Sequence, residues 1–108
     1  MPASRNEKIL RIVKTAAADY LQRESSGQSL ITVTDVRLSE DEKYATILFT
    51  VLPEEKERAA LEFAKRMRSD FKEYVKAHTN LGKIPLFDFD IDRGEKHRQR
   101  IDEISRAQ

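Results

Sequence analysis

Two β-rich runs separated by a short polar segment occupy the middle of the chain. The runs are Leu30–Leu38 and Tyr44–Val51, and both are rich in β-branched residues. The five residues between them, Ser39–Lys43, include no apolar side chain. Two such runs joined by a polar segment predict an antiparallel hairpin.

Alternate residues of the second run predict the face of the hairpin that packs on the core. In the second run the residues of that phase are Ala45, Ile47, Phe49 and Val51. A period of two places them on one side of a strand. The first run is less regular, because Val33 lies in one phase and Val36 and Leu38 lie in the other. This change of phase predicts a β-bulge near Thr34–Asp35.

The segment before the hairpin has a helical period. Ser4 and Glu7 form a capping box, in which each side chain bonds the other residue's backbone N–H. The helix is expected to run to about Glu24, and its opposite face carries Lys8, Arg11 and Lys14. Its apolar stripe comprises Ile9, Leu10, Val13, Ala16, Ala17, Tyr20 and Leu21.

A second helical region follows Pro53, because proline followed by Glu54 and Glu55 is typical of a helix start. Ser69 interrupts the pattern, so we expect either one kinked helix or two. Gly82, which follows Leu81, predicts the end of this helical region. The apolar stripe comprises Ala60, Ala64, Met67, Phe71, Val75 and His78.

The third strand shows the clearest alternation, with Phe87, Phe89 and Ile91 between Asp88, Asp90 and Asp92. This alternation predicts one face of aromatic and aliphatic residues that packs on the core. It also predicts a solvent-exposed face of carboxylates that pairs with nearby Lys or Arg. The charged tail 95–108 is expected to form a short, loosely docked helix. The whole order, α-β-β-α(kinked or split)-β, predicts a two-layer α+β domain with the helices on one face of a three-stranded sheet.

Composition narrows the function. A chain of 108 residues fits one domain, and its formal net charge of +1 argues against binding by bulk charge alone. Without cysteine it has no disulfide or thiolate metal site, which fits a cytoplasmic location. We find no membrane span and no signal peptide, so we expect a cytoplasmic protein that does not contact membranes.

Known catalytic and metal motifs are missing from the sequence. The acids around Asp88–Asp92 do not match a calcium loop, because Gly94 and Gln99 occupy the wrong positions. His78 and His97 lack ligand spacing. We find neither a P-loop nor a nucleophile elbow. We therefore expect no enzyme activity, metal, cofactor or small-molecule substrate.

The best functional candidate is a basic stripe in the second helical region. Lys65, Arg68, Lys72 and Lys76 recur at spacings of three and four, which places them on one helix face. Such a face can follow RNA phosphates. An ordinary solvated face, partly neutralised by neighbouring acids, remains an alternative from these residues alone.

Two spaced motifs and the first helix carry a family resemblance. One motif is Thr32-Val33-Thr34-Asp35-Val36 followed by Ser39, Asp41 and Tyr44-Ala45; the other is Leu81, Ile84-Pro85, Phe87, Phe89 and Asp92. They resemble T-V-x-x-V-x-x-S-x-D-x-x-(Y)-A and L-R-x-x-P-x-L-x-F-x-x-D of the ribosome-binding factor A family. These bacterial proteins assist late maturation of the small ribosomal subunit. The resemblance covers about residues 5–104.

The resemblance implies a type II KH-like domain over residues 4–104, a flexible end at 105–108 and a monomer. The family's helix break, Ala-x-Gly, falls on Met67-Arg68-Ser69, and serine predicts a shallower kink because only glycine adopts positive φ freely. Gly82 and Lys72 replace family arginines, and residues 25–29 replace an Asp-Pro pair.

The resemblance further implies binding to the 30S subunit and its 16S rRNA during late 30S maturation and 16S rRNA processing. The residues expected to bind RNA are Lys65, Arg66, Arg68, Lys72, Lys76, Lys83, Arg11 and Lys14. The alternative is a regulatory protein-interaction domain of α+β fold that has no RNA ligand.

Overall fold

The helices and strands follow the predicted order. A computed structural model describes residues 5–24 and 27–99, so Ser4, residues 25–26 and the tail from 100 onward lie outside the described residues. The elements are α1 (Arg5–Glu24), β1 (Leu30–Leu38), β2 (Tyr44–Leu52), a 3-10 turn (Glu54–Lys56), α2 (Glu57–Arg66), α3 (Arg68–His78) and β3 (Leu86–Ile91). Residues 93–99 are also helical.

The three strands form one sheet in the order β1-β2-β3. Strand β1 pairs antiparallel with β2, and β3 pairs parallel with the other side of β2. The predicted bulge is confirmed, because the register shifts between Val33 and Asp35. Thr34 is the extra residue, and it lets Val33 oppose Phe49 while Val36 opposes Ile47. Val33, Val36 and Leu38 thereby all contact the core in spite of their change of phase.

The polar segment 39–43 turns the chain through hydrogen bonds of its own. Ser39 donates its hydroxyl to Asp41 Oδ1 at 2.7 Å and accepts the backbone N–H of Tyr44 at 3.0 Å. Asp41 Oδ1 also accepts the N–H of Lys43 at 3.1 Å. The bond from the Ser39 hydroxyl is the main reason that the pKa of Asp41 lies below its usual value. These bonds hold the start of β2 in place.

The core lies between the sheet and the helices, as the alternation predicted. Its largest fully buried side chains include Phe49, Phe71 and Phe89. Tyr20 of α1 is 2% exposed, and its hydroxyl donates to Asp70 Oδ2 at 2.5 Å. Burial is the main cause that raises the pKa of Tyr20. This hydrogen bond satisfies the buried hydroxyl and ties α1 to α3.

The second helical region is split into two helices at Met67. This residue has φ −93° and ψ 8°, and its N–H contacts both Phe63 O and Ala64 O at 3.1 Å. The prediction of an interrupted helix is confirmed, but the interruption precedes Ser69, which lies in the first turn of α3. Because φ at Met67 is negative, the break needs no glycine.

The predicted end of this region at Gly82 is wrong, because α3 ends at His78. Thr79 is extended, with φ −135° and ψ 169°, and its hydroxyl donates to Val75 O at 2.7 Å. The N–H of Leu81 then bonds the same hydroxyl oxygen at 3.3 Å. Leu81 therefore packs against the core from the irregular segment that follows α3, and its apolar side chain is not a sign of helix.

Asp92 connects the sheet to the helical segment 93–99. Its Oδ2 accepts the Thr34 hydroxyl at 2.5 Å, and its Oδ1 accepts the Glu95 N–H at 2.9 Å. These two bonds, with that from Thr34 the larger cause, hold the pKa of Asp92 below its usual value. Asp92 is therefore the N-cap of the segment and also a partner of the bulge residue.

Replacing Asp92 with alanine should lower the free energy of unfolding by about 1–2 kcal/mol at pH 7. Because the pKa is lower in the folded state, ionised Asp92 stabilises the fold above its unfolded pKa of about 3.9. That stabilisation is lost as the pH falls through the lowered value. The difference in the free energy of unfolding between the wild type and Asp92→Ala, measured by urea denaturation, should therefore be smaller at pH 3 than at pH 7. Asp90→Ala is the control, and equal losses from both variants would contradict the assigned role.

Candidate nucleic-acid interface

A basic flank runs along α2 and α3 on the side that faces the edge strand β3. Lys65, Arg68 and Lys72 lie on it at the predicted helical spacing. Lys65 Nζ lies 3.0 Å from Asp88 Oδ1, and Arg68 Nη1 lies 3.3 Å from the same oxygen. The predicted pairing of the acidic strand face with nearby cations is confirmed at Asp88. One carboxylate thus faces two cations, and this contact keeps a net positive charge.

The protonation state of Asp88 is set by these neighbours. Partial burial by itself would raise its pKa, but hydrogen bonds from Lys65 and the Phe89 N–H lower it, and the charges of Lys65 and Arg68 add to the effect. The net direction is down, so Asp88 is ionised at neutral pH. The side chains of Lys65 and Arg68 are 41% and 49% exposed. They remain accessible to a phosphate, which has to compete with Asp88 for them.

The helix break positions Arg68. Where α2 ends, Lys65 has a backbone carbonyl that is free to accept, and Arg68 Nε donates to it at 2.9 Å. This bond orients the guanidinium toward β3, where it reaches Asp88. The interruption at Met67 therefore brings the arginine to the sheet edge and leaves the other guanidinium N–H groups for a ligand.

An open groove of about 480 Å³ lies where β2, β3 and α3 begin. Its lining includes Arg68 and Lys72 of α3 and Tyr44 and Leu86 of the two strands. Among the described residues, Lys72 takes part in no salt bridge. The groove therefore joins two of the predicted RNA-binding cations to an exposed aromatic ring. Tyr44 was not among the predicted site residues, although its place in the outward phase of β2 is visible in the sequence.

The remaining predicted cations lie apart from this groove. Lys76 pairs loosely with Glu73 at 3.9 Å. Arg66 and Lys83 are exposed and, within residues 5–24 and 27–99, belong to no salt bridge. All three stay candidates for RNA contact, but none of them lines the groove.

The cations of α1 are not brought to the basic flank. Arg11 and Lys8 line a separate groove of about 460 Å³ between α1 and the end of α3, beside Tyr74 and His78. Tyr74 and His78 lie on the other flank of α3, with their rings stacked 4.1 Å apart. Lys14 lines neither groove. The structure thus gathers Lys65, Arg68 and Lys72 but separates Arg11 and Lys14 from them.

Neither a metal centre nor a membrane helix is found in the described part of the chain. No three of its His, Asp or Glu side chains cluster as metal ligands would. Asp92, one of the acids that do not match a calcium loop, caps the helical segment 93–99. No helix among these residues has the length and apolar character needed to cross a bilayer.

Comparison with known proteins gives one consistent result. The sequence profile of ribosome-binding factor A matches residues 5–105. Ribosome-binding factor A of Methylobacterium sp. (strain 4-46) is 30% identical over 112 residues, covering 99% of this chain and 81% of the relative. That of Thermobifida fusca (strain YX) is 32% identical over 108 residues, covering 94% of this chain and 70% of the relative.

Solved structures agree on the fold. The crystal structure of ribosome-binding factor A from Thermus thermophilus superposes with a TM-score of 0.71 at 23% identity, over 81% of this chain and 94% of that one. A homology model of the Thermus thermophilus factor, fitted into a cryo-EM map of its complex with 30S, gives 0.66 at 24% identity, over 76% and 89%. The KH-like α+β architecture predicted from the sequence is thereby confirmed.

Proposed function

Because the chain belongs to the ribosome-binding factor A family, we propose that it binds the small (30S) ribosomal subunit and assists its late maturation. The finer part of the proposal is that it contacts 16S rRNA and acts, as a cytoplasmic monomer without enzyme activity, during 16S rRNA processing. The observation that carries this part is the basic flank of Lys65, Arg68 and Lys72 beside an open groove.

The mechanism we propose is positional. The basic flank binds phosphates, while shape and a few polar contacts set the register on the RNA. Charge density on the flank is moderate, because Asp88 neutralises part of it. Bulk attraction is weak as well, since the whole chain carries a net charge of +1. Such a surface favours a specific site on folded RNA over indiscriminate binding, and the factor would hold an immature conformation until it leaves.

A salt titration tests the proposal. If the flank binds phosphates, the logarithm of the association constant for purified small subunits should fall linearly with the logarithm of salt concentration. We expect a slope of about −2 to −3, because each phosphate contact contributes about 0.7–0.9. Affinity is measured by cosedimentation or by fluorescence anisotropy of labelled protein, between 50 and 300 mM potassium chloride as a rough range.

The matching control is the folded state of the protein over the same salt range, followed by circular dichroism. Fragments of 16S rRNA should reproduce the slope if RNA supplies the contacts. A flat salt response, with binding to subunits retained, would instead indicate a protein-interaction domain that uses apolar contacts.

A further inference from the structure

Tyr44 is a large aromatic residue that stays mostly exposed to solvent. It is 58% exposed and lies opposite Leu86, which is 53% exposed, in the parallel pairing of β2 and β3. In the described part of the chain, the other large apolar side chains with comparable exposure are Leu30 and Leu52, paired at the far end of the sheet. What distinguishes Tyr44 from that pair is that its neighbours in the groove include cations.

The backbone under the Tyr44 ring is held in place. The Tyr44 N–H donates to Ser39 Oγ at 3.0 Å, and the Leu86 N–H donates to Lys43 O at 2.9 Å. The first bond joins the residue to its turn, and the second joins the starts of the two strands. A ring on a fixed backbone can offer a face to a ligand with little loss of entropy on binding.

Two cations line the same groove as Tyr44. Arg68 is oriented by its bond to Lys65 O, and Lys72 has no salt-bridge partner in the described part of the chain. An exposed aromatic ring and two cations in one groove match the two parts of a nucleotide, its base and its phosphate. The volume of about 480 Å³ lies in the range of sites that take one small molecule, about 300–1,000 Å³.

Building on the proposed function, we propose that Tyr44 is the stacking platform for one unpaired nucleobase of the ribosomal RNA. Arg68 and Lys72 would bind the phosphate of that nucleotide or of its neighbour. Bases inside a duplex cannot reach such a ring, so the inference places a single-stranded loop, bulge or end at this groove. An apolar protein side chain would use the Tyr44 and Leu86 surface without needing the cations.

Two substitutions at Tyr44 separate the ring from the hydroxyl. Tyr44→Ala should weaken binding to small subunits about tenfold, the typical scale for loss of one stacked base. Tyr44→Phe should stay within about twofold, because it keeps the ring face. Leu52→Ala is the matched control, since Leu52 is 53% exposed at the other end of the same strand. It should leave the affinity unchanged.

A second measurement identifies the ligand. Single-stranded oligoribonucleotides from 16S rRNA are compared with copies that carry one abasic position each. Loss of one base should weaken wild-type binding and leave Tyr44→Ala unaffected. If Tyr44→Ala and Leu86→Ala both weaken subunit binding while no abasic position matters, the surface contacts protein and the inference is overturned.

The outcome also separates this inference from the proposed function. If Tyr44→Ala binds like wild type while charge reversal at Arg68 and Lys72 weakens binding, Tyr44 is not a stacking platform. The proposal that the basic flank binds RNA is then retained. If neither change weakens binding to small subunits, both proposals fail. Equal losses in Tyr44→Phe and Tyr44→Ala would assign the effect to the hydroxyl and would overturn stacking.

Discussion

Replacing Phe71 with alanine should lower the free energy of unfolding by about 3–5 kcal/mol. Phe71 is fully buried, and its ring centroid lies 4.8 Å from that of Phe87, 5.5 Å from that of Phe89 and 5.2 Å from that of Tyr20. One side chain therefore joins α3 to both β3 and α1. Removing it leaves a cavity among rigid rings that cannot close around it.

The measurement is urea denaturation followed by circular dichroism. A domain of this size has about 5–15 kcal/mol of stability in total, so we expect the Phe71→Ala variant to be partly unfolded at 37 °C. Phe63→Ala is the control, because Phe63 is only half-buried and should cost clearly less. Similar losses from the two variants would show that Phe71 is not the junction of these elements.

Reversing the charge of Arg68 and Lys72 together should weaken binding to small subunits at least about tenfold at physiological salt. Two attractive contacts with phosphate become repulsive, and the salt slope should become shallower by about 1.5–2. Both residues line the groove, and neither is buried in the core. The double variant should therefore fold, which a thermal melt verifies.

Two further variants check that prediction. Lys56→Glu with Arg58→Glu makes the same change in net charge at the other end of the second helical region, and it should leave affinity within about twofold. Asp88→Asn has the opposite expected sign, because it releases Lys65 and Arg68 from their shared carboxylate. We expect tighter binding and a steeper salt slope. If the control pair weakens binding as much as the groove pair does, the effect comes from net charge and not from this flank.

The local pattern of apolar and polar residues was sufficient to predict most of the fold. The alternation in Tyr44–Leu52 and Leu86–Ile91 identified core faces that are buried in the structure, because a period of two is imposed by the geometry of a single strand. The phase change in β1 likewise located the bulge at Thr34. Helix ends were less predictable. His78 ends α3 because Thr79 binds Val75 O, and such capping by threonine competes with the apolar signal at Leu81.

The candidate site was predicted only in part. The helical spacing of Lys65, Arg68 and Lys72 was readable, since it depends on residues three and four apart. The sequence predicted their contact with Asp88 only in general terms, as pairing between the solvent-exposed acidic residues of the third strand and nearby cations. The partners lie 20 and 23 positions apart, so which acid meets which cation depends on how the chain returns to form β3.

From the sequence alone came the order of elements, their inward faces, the family motifs and the basic spacing of one helix face. Each of these depends on neighbours within a few residues, where the periods of helix and strand act directly. Tertiary structure alone decided that Tyr44 lines the same groove as Arg68 and Lys72. It also decided that Asp88 pairs with Lys65 and Arg68, and that Arg11 lines another groove. Distances between separate elements come from packing around a shared core, and local period carries no information about them.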